Sequence, residues 1–306
     1  MAYIVFVIFN VLVPIFIPVL AGYYFHKRFT LNVDTLTKIQ FYVMIPAFLF
    51  MNMYTIQLDA RLFFKIVITL VLAFILLFLI GLAFAKIIGY DAKQKSAFIN
   101  ASCFYNSGNF CIPLIALLFN NPFASAIQII IMFIQNILLN IFGIFNTSIG
   151  HKSGKEAILD IFKLPMMYAI FLGFGFQLFN IPVYQPIQDG LSITGQGLVP
   201  VALITLGAQL ADTQLRFRSM RVYLAGGIRL IIAPMITGVL LWLFQIDGIA
   251  AQVVLICSGA PTAINTVLLA IEFKNEPEYA SQTVFFSTAF SALTIPIVIY
   301  FAQLLF

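Results

Sequence analysis

Two polar interruptions inside apolar segments contain the residues best suited to bind a ligand. The first is Asn106–Asn109, followed by Pro113, and it lies in a stretch without charged residues. The second runs from Ser258 to Asn265 and includes Pro261. Glycine and proline disfavour helix interiors, and Asn and Ser side chains compete for backbone hydrogen bonds, so both stretches predict a helix break. The break residues that we expect to contact a ligand are Asn106, Ser107, Gly108, Asn109, Pro113, Ser258, Gly259, Pro261, Thr262 and Asn265.

A new half-helix is expected to begin after each break, near Cys111–Pro113 and near Pro261. Proline is favoured in the first helical turn, where its missing N–H would be unpaired anyway. Ser107, Asn109 and Ser258 are placed to cap these half-helices. Since each helix N-terminus carries about half a positive charge, two of them facing each other favour an anion. The alternative is a pair of proline kinks that serve only helix packing.

The elements that must position these residues are membrane-spanning helices. Of the 306 residues, 62% are hydrophobic and 9% are charged, and the mean hydropathy is +1.05. Soluble domains carry about 25% charged residues. Apolar runs of about 20 residues cross a bilayer as helices, and runs this uniform lack the alternation of a β-barrel. The chain therefore predicts an all-α integral membrane protein with ten transmembrane helices, spans 1 to 10, at 3–25, 36–56, 63–88, 96–119, 123–149, 162–180, 189–211, 219–244, 249–271 and 279–306.

The basic residues predict how the spans are oriented. The odd-numbered connections and adjoining span ends hold thirteen of them, the opposite face holds Arg61 and Lys65, and Arg229 falls inside a span. Because Lys and Arg concentrate on the cytoplasmic side, we expect these connections to be cytoplasmic and both termini to lie outside the inner (cytoplasmic) membrane. The net charge of +5 then reflects topology and indicates no nucleic-acid partner. The thirteen are Lys27, Arg28, Lys38, Lys86, Lys93, Lys95, Lys152, Lys155, Lys163, Arg216, Arg218, Arg221 and Lys274.

Weak internal matches indicate two repeats of five spans each. The matched pairs are Pro46 with Pro200, Ser107-Gly108 with Ser258-Gly259, and Ala126 with Ala280, at offsets of 154, 151 and 154 residues. Five is odd, so the repeats have opposite orientations in the membrane, as is typical of secondary transporters. We therefore expect a first repeat at 1–150, a short cytoplasmic connection at 151–160 and a second, inverted repeat at 161–306.

Four segments, in order, carry a resemblance that covers nearly the whole chain. They are NSGNFCIPL at 106–114, LGAQLA at 206–211, PTAINTVLLA at 261–270 and STAFSALTIP at 287–296. On these segments the chain resembles the auxin efflux carrier family, and specifically its bacterial members. Cys111 stands where the family often has Gly, and the connection HKSGKEAILD is much shorter than the cytoplasmic loop of many plant relatives.

The resemblance implies a fold and a mechanism. Spans 1, 2, 6 and 7 form a scaffold, and spans 3–5 and 8–10 form a transport domain that moves as in an elevator. Spans 4 and 9 cross at breaks that correspond to Pro113 and Pro261. Plant relatives export an indole carboxylate and dimerise through the scaffold, here through spans 2 and 7, and bacterial relatives are linked to malate, malonate and other carboxylates. The resemblance thus implies a carrier for a small organic anion, with a carboxylate as the small-molecule partner.

The ionisable residues bear on the charge of the substrate. Every Asp and Glu lies in a connection or at a span end, which argues against a cation substrate and leaves no carboxylate proton relay or metal site. Coupling to sodium through carbonyl, amide and hydroxyl oxygens stays open, and no cofactor is indicated. Arg229 either attracts a substrate carboxylate or extends its side chain to the membrane interface. Gln135 and Asn136 in span 5 complete the expected substrate site.

Other functional classes have weaker support. A serine hydrolase needs a base near its nucleophile, but the only histidines, His26 and His151, lie in connections. An intramembrane enzyme with catalytic residues is therefore not expected. A receptor-like sensor or channel, and a sodium-coupled symporter that resembles the bile-acid symporters, remain as alternatives.

Overall fold

The computed structural model describes residues 8–55, 59–148, 165–212 and 220–306. These residues form twelve helices, and the only strand-like pairing among them is one isolated bridge between Tyr105 and Thr262. The predicted connection at 151–160, with the basic residues Lys152 and Lys155, lies outside them. The helices are α1 Phe9–Phe29, α2 Val33–Thr55, α3 Ala60–Ile88, α4 Ala92–Cys103, α5 Cys111–Phe119, α6 Pro122–Thr147, α7 Pro165–Leu178, α8 Gln185–Ala211, α9 Met220–Leu243, α10 Gly248–Ser258, α11 Asn265–Glu272 and α12 Pro277–Leu305.

Seven of these helices, α1, α2, α3, α6, α8, α9 and α12, are long and apolar enough to cross a membrane. The chain is therefore an all-helical, multi-pass membrane protein. The predicted spans at 96–119 and 249–271 each consist of two short helices, α4 with α5 and α10 with α11. Both predicted breaks are thus present, between Cys103 and Cys111 and between Ser258 and Asn265.

Local sequence explains where several helices begin. Asp91 accepts a hydrogen bond from the backbone N–H of Gln94, and the Gln94 side chain accepts one from the Asp91 N–H, which makes a capping box at the start of α4. Asn121 accepts from the N–H of Phe123 and is followed by a proline at the first position of α6. These caps fix the starts of α4, which leads into the first break, and of α6, which follows α5.

Close glycine contacts join α1 to α8 and α2 to α7. A Cβ atom added to Gly22 in α1 would lie 2.1 Å from the carbonyl oxygen of Ile204 in α8, and one added to Gly207 would lie 1.9 Å from that of Val19. A Cβ atom on Gly173 in α7 would lie 2.6 Å from the carbonyl oxygen of Phe50 in α2. Small residues allow such close approach where helices pack within a membrane. Helices α1, α2, α7 and α8 therefore form one packed group, called here the first helix group.

The remaining helices pack around the two breaks and form the second helix group. Helix α10 packs on α6 and α9, α4 packs on α3 and α12, and α11 packs on α12. Two helices of this group contain a π-helical turn, Leu139–Gly143 in α6 and Ile228–Ile232 in α9. Turns of this kind re-aim side chains and are frequent at functional sites. The turn in α9 carries Arg229.

Candidate functional site

The two helix breaks cross and hydrogen-bond to each other. The backbone N–H of Asn106 donates to the carbonyl of Pro261 over 2.8 Å, and the N–H of Ala263 donates to the carbonyl of Phe104 over 3.0 Å. These bonds form the antiparallel bridge between Tyr105 and Thr262. Unpaired backbone groups are costly at membrane depth, so each break supplies the partners that the other lacks.

Thr262 ties the second break to two helices. Its hydroxyl donates to the carbonyl of Ala101 in α4 over 2.9 Å, and its backbone N–H donates to the hydroxyl of Ser287 in α12 over 3.0 Å. The residue is fully buried. Thr262 therefore supports the crossing and does not face the cavity beside it.

Helix α6 holds the first break through a buried amide. Gln128 donates from Nε2 to the carbonyl of Ser107, and Cys257 donates from Sγ to Gln128 Oε1 over 2.9 Å. Within the break, Asn106 Oδ1 accepts from the N–H of Asn109, three residues later, over 3.0 Å, which is a local side-chain-to-backbone bond. One amide in α6 thus connects the first break to the end of α10.

The predicted side-chain caps are wrong. The residue before α5 is Phe110 and the residue before α11 is Ile264, and neither makes a side-chain cap. Ser258 ends α10, where its hydroxyl donates to the carbonyl of Leu255 over 2.6 Å. Helix α11 begins at Asn265, beyond the predicted Pro261, because the intervening backbone is engaged in pairing with the first break.

A cavity of about 290 Å³ lies beside the crossing. This volume lies at the lower end of ordinary ligand pockets and suits a small molecule. The cavity is bounded by both helix groups, since Phe41 of α2, Met166 of α7 and Gln209 of α8 line it together with residues of the breaks. Seven of the predicted site residues line it: Asn106, Ser107, Gly108, Asn109, Gln135, Asn136 and Asn265.

The other predicted site residues lie within or behind the crossing and do not line this cavity. Pro113 is buried in the first turn of α5, and Ser258 is buried at the end of α10. Gly259 and Pro261 belong to the second break, together with Thr262. These residues shape the backbone that carries the cavity-lining groups.

Several residues that line the cavity are not among the predicted site residues. Asn140 lies one turn after Asn136 on the same face of α6, so the i,i+4 spacing was an available signal. Gln209 comes from the first helix group and lies inside the LGAQLA segment that carried part of the resemblance. Tyr105 and Thr37 complete the missed polar residues.

Several buried polar atoms at the cavity have no hydrogen-bond partner among the described residues. They are Tyr105 Oη, Asn106 Nδ2, Gln135 Oε1 and Gln209 Oε1. Buried polar groups of this kind ordinarily find a partner, and leaving one unpaired costs about 1–3 kcal/mol. The cavity therefore offers an amide donor, two amide acceptors and a hydroxyl to a ligand.

No Asp, Glu, Lys, Arg or His side chain lines the cavity among the residues that the structure describes. Its fixed electrostatics come from the backbone, because the N-termini of α5 and α11 lie at the breaks that border it. Among the described residues, the N–H groups of Ile264 and Asn265 at the start of α11 have no hydrogen-bond acceptor. Orphan N–H groups at a helix start are donors suited to an anion.

Arg229 lies behind the crossing, with its side chain almost fully buried at 1% exposure. Its Nη1 donates to the carbonyl oxygens of Ser102 and Cys103 over 3.4 and 3.2 Å, and its Nη2 donates to that of Ser258. Its guanidinium lies 4.8 Å from the ring centroid of Tyr105. The Arg229 side chain is held inside the protein by these bonds, so the alternative in which it extends to the membrane interface is wrong. The space that Arg229 lines is about 10 Å³, too small for an organic ligand.

A second cavity of about 450 Å³ adjoins the first. Gln209, Ile264 and Leu268 line both. The second cavity is otherwise mostly apolar, and Asp212 and Glu278 also line it. The two cavities therefore adjoin along α8 and α11.

Comparison with known proteins yields one family and two relatives. The family described as "Membrane transport protein" matches the chain over residues 7–156 and 146–299. An uncharacterized transporter of Methanocaldococcus jannaschii is 28% identical over 151 residues, and the match covers 48% of each chain. An uncharacterized transporter of Methanothermobacter thermautotrophicus is 24% identical over 275 residues, which are 87% of this chain and 88% of that protein.

Proposed function

Since the chain belongs to this membrane transport protein family, the auxin efflux carrier family that its motifs resemble, we propose that it is a secondary active transporter for a small organic anion, in the first place a carboxylate. The family and the two relatives are membrane transporters and not enzymes. The observation that carries the proposal is the crossing, where two half-helices begin beside a cavity that no charged side chain of the described residues lines.

Electrostatics at the crossing support an anion as substrate. Each N-terminus, of α5 and of α11, contributes about half a positive charge. At the α11 N-terminus, the free N–H groups of Ile264 and Asn265 can donate hydrogen bonds to a carboxylate oxygen. A cation would meet the same partial charges without any acidic side chain to offset them. Asn106 Nδ2 supplies a further donor, and the free oxygens of Gln135 and Gln209 would accept from a substrate hydroxyl.

Ten membrane crossings in two inverted repeats, 1–150 and 161–306, are the architecture that we propose. The described helices support it, because α1, α2, α3, the broken pair α4–α5 and α6 are followed in the same order by α7, α8, α9, the broken pair α10–α11 and α12. Packing is also reciprocal. Helix α1 packs on α8 as α7 packs on α2, and α4 packs on α12 as α10 packs on α6. A pseudo-two-fold axis that exchanges the repeats would produce these pairings.

An elevator mechanism is consistent with the position of the cavity. The first helix group (α1, α2, α7 and α8) acts as the scaffold and the second as the transport domain, with the substrate held between them. The second cavity is lined by Asp212 and Glu278, which lie at connections 7 and 9, and the basic residues predict that these connections are cytoplasmic. We therefore propose that this conformation faces the cytoplasm. Both termini then lie outside the inner (cytoplasmic) membrane.

Homodimerisation through spans 2 and 7 stays a prediction. Helices α2 and α8, which correspond to these spans, each expose large apolar side chains, such as Tyr42 and Ile193. Either lipid or a second copy of the chain covers such faces in a membrane. Size measurement of the purified protein in detergent, before and after Ile193→Lys, distinguishes the two.

Ligand binding to the purified protein tests the proposal. Thermal stabilisation is measured against short carboxylates and neutral amino acids, with and without sodium, since a ligand of the folded state raises its apparent stability. We expect carboxylates alone to stabilise, and a sodium requirement would favour the symporter alternative. Substrate counterflow in vesicles separates a carrier from a receptor-like sensor. Stabilisation by a neutral or cationic ligand with no carboxylate response would contradict the proposal.

Two variants locate the site. Asn109→Ala and Asn265→Ala each remove a side chain that lines the cavity, and a lost hydrogen bond to a charged ligand corresponds to about tenfold in affinity. The matched control is Asn52→Ala in α2, because Asn52 donates to its own helix at Phe48 and does not line the cavity. Unchanged binding in both cavity variants would place the site elsewhere.

A further inference from the structure

We propose that Arg229 sets the charge preference of the cavity by cancelling the negative ends of two half-helices, without contacting the substrate. The inference rests on the proposed function, because it explains why this crossing selects an anion. Arg229 then acts as a positioning residue that changes the electrostatic potential at the cavity. It does so through the helix ends and makes no direct bond to the substrate.

The first step is the position of the guanidinium. Ser102 and Cys103 are the last residues of α4, and Ser258 is the last residue of α10. Arg229 donates to the carbonyl oxygens of all three, so a single side chain satisfies the C-terminal ends of both half-helices. Helix C-termini leave such carbonyls without a partner inside the helix.

The second step is the balance of charge at the crossing. Four half-helix ends meet there, the C-termini of α4 and α10 and the N-termini of α5 and α11. A C-terminus carries about half a negative charge and an N-terminus about half a positive charge, so the four ends alone sum to about zero. The unit positive charge of Arg229 offsets the two negative C-termini. The crossing then retains about one positive charge, which lies at the N-termini of α5 and α11.

The third step is the lack of a competing acid. Among the described residues, Arg229 has no carboxylate within ion-pair distance, and the cavity has no acidic side chain. The ion pairs among the described residues, such as His26 with Asp212 and Arg221 with Glu276, lie near helix ends. A buried charge is strongly unfavourable without a partner, so the carbonyl ends are the groups that stabilise Arg229.

The fourth step is the barrier between Arg229 and the cavity. Tyr105 lines the cavity and also the small space behind it, and its ring faces the guanidinium at 4.8 Å. A substrate beside Asn106 would therefore meet Tyr105 before it could meet Arg229. Arginine suits this place because its planar fork bonds to carbonyls of two helices at once and stacks on an aromatic face.

The test compares charged and neutral ligands of one shape on the full-length purified protein. Binding of malonate, malate and lactate is measured beside malonamide, malamide and lactamide, and each carboxylate-to-amide affinity ratio is recorded. Arg229→Lys keeps the charge, and Arg229→Met removes it at similar length. We expect Arg229→Lys to keep the ratio, and Arg229→Met to lower it by about tenfold, the size expected for one unit charge at intermediate screening.

The ratio distinguishes a structural role from an electrostatic one. If Arg229 only held the fold, Arg229→Met would weaken carboxylate and amide equally and leave the ratio unchanged, which would overturn the inference alone. A wild-type protein that binds none of the carboxylates would overturn the proposed function as well. The melting temperature of each variant is recorded alongside the ratio.

A second variant keeps the inference testable if Arg229→Met does not fold. Arg229→Gln also removes the charge, but its amide N–H can still donate to the carbonyls at the two helix ends. The carboxylate-to-amide ratio should fall by about tenfold, as for Arg229→Met. A wild-type ratio in Arg229→Gln would overturn the inference.

Discussion

Replacing Thr262 by valine tests whether side chains as well as backbone hold the two breaks together. The substitution keeps the shape of the buried side chain and removes the hydroxyl that donates to the carbonyl of Ala101 over 2.9 Å. Ala101 lies in the last turn of α4, where the helix itself provides no donor for that carbonyl. Thr262→Val therefore leaves a buried acceptor without a partner.

The expected loss of stability follows from this single bond. An unsatisfied buried acceptor costs about 1–3 kcal/mol, while hydrogen bonds between membrane helices average about 0.6 kcal/mol and reach about 1.7 kcal/mol. We expect a loss of about 1–2 kcal/mol in the free energy of unfolding, because no other donor among the described residues outside α4 bonds to the Ala101 carbonyl. Ligand affinity should fall as well, since Thr262 fixes the break that carries Asn265.

Unfolding in mixed detergent micelles measures the loss, with Thr283→Val as the matched control. Thr283 is equally buried in α12, but its hydroxyl donates to Tyr279 one turn earlier in the same helix, over 2.9 Å. That carbonyl keeps its ordinary helical hydrogen bond when the hydroxyl is removed, so the control should unfold almost as the wild type does. Equal stability of the two variants would refute the idea that Thr262 joins the breaks.

Three further substitutions test the packing, the cavity and a cap. Gly207→Ala should destabilise the fold by about 3 kcal/mol, because the added Cβ would lie 1.9 Å from the Val19 carbonyl oxygen. The control is Gly190→Ala in the same helix, where the added Cβ meets open space and should stabilise the helix slightly. Thermal melts of the two variants measure the difference. Gln209→Leu removes an unpartnered amide oxygen at the cavity, so the free energy of unfolding should stay unchanged or rise by about 1 kcal/mol. Ligand binding should weaken, and a binding isotherm equal to that of the wild type would contradict this. Asp91→Ala should cost about 1 kcal/mol in unfolding free energy through the lost capping box, and a variant as stable as the wild type would show that α4 does not need it.

Local sequence was sufficient to predict the helices and the existence of both breaks. Long apolar runs have few alternatives in a membrane, and the Gly and Pro residues near 108 and 261 mark places where a helix cannot continue unchanged. The end of the second break was not predictable in this way. Helix α11 begins at Asn265 because the preceding residues pair with Phe104 and Asn106, which are remote in sequence.

The cavity was predicted only on the side that the breaks provide. Asn106 and Asn265 could be identified because they interrupt apolar sequence. Gln209 could not be assigned to the site, because its place depends on how α8 packs against the second helix group. The carbonyl partners of Arg229 could not be predicted either, because they are backbone atoms at the ends of two other helices.

The pairing between the breaks also constrains how the protein is made. When the first half of the chain enters the membrane, the N–H of Asn106 and the carbonyl of Phe104 lack the partners that Pro261 and Ala263 supply. We therefore expect the first break to lack these partners until α10 and α11 have been synthesised. The candidate site is then assembled late, and we expect a chain truncated before α10 to expose unpaired backbone to lipid.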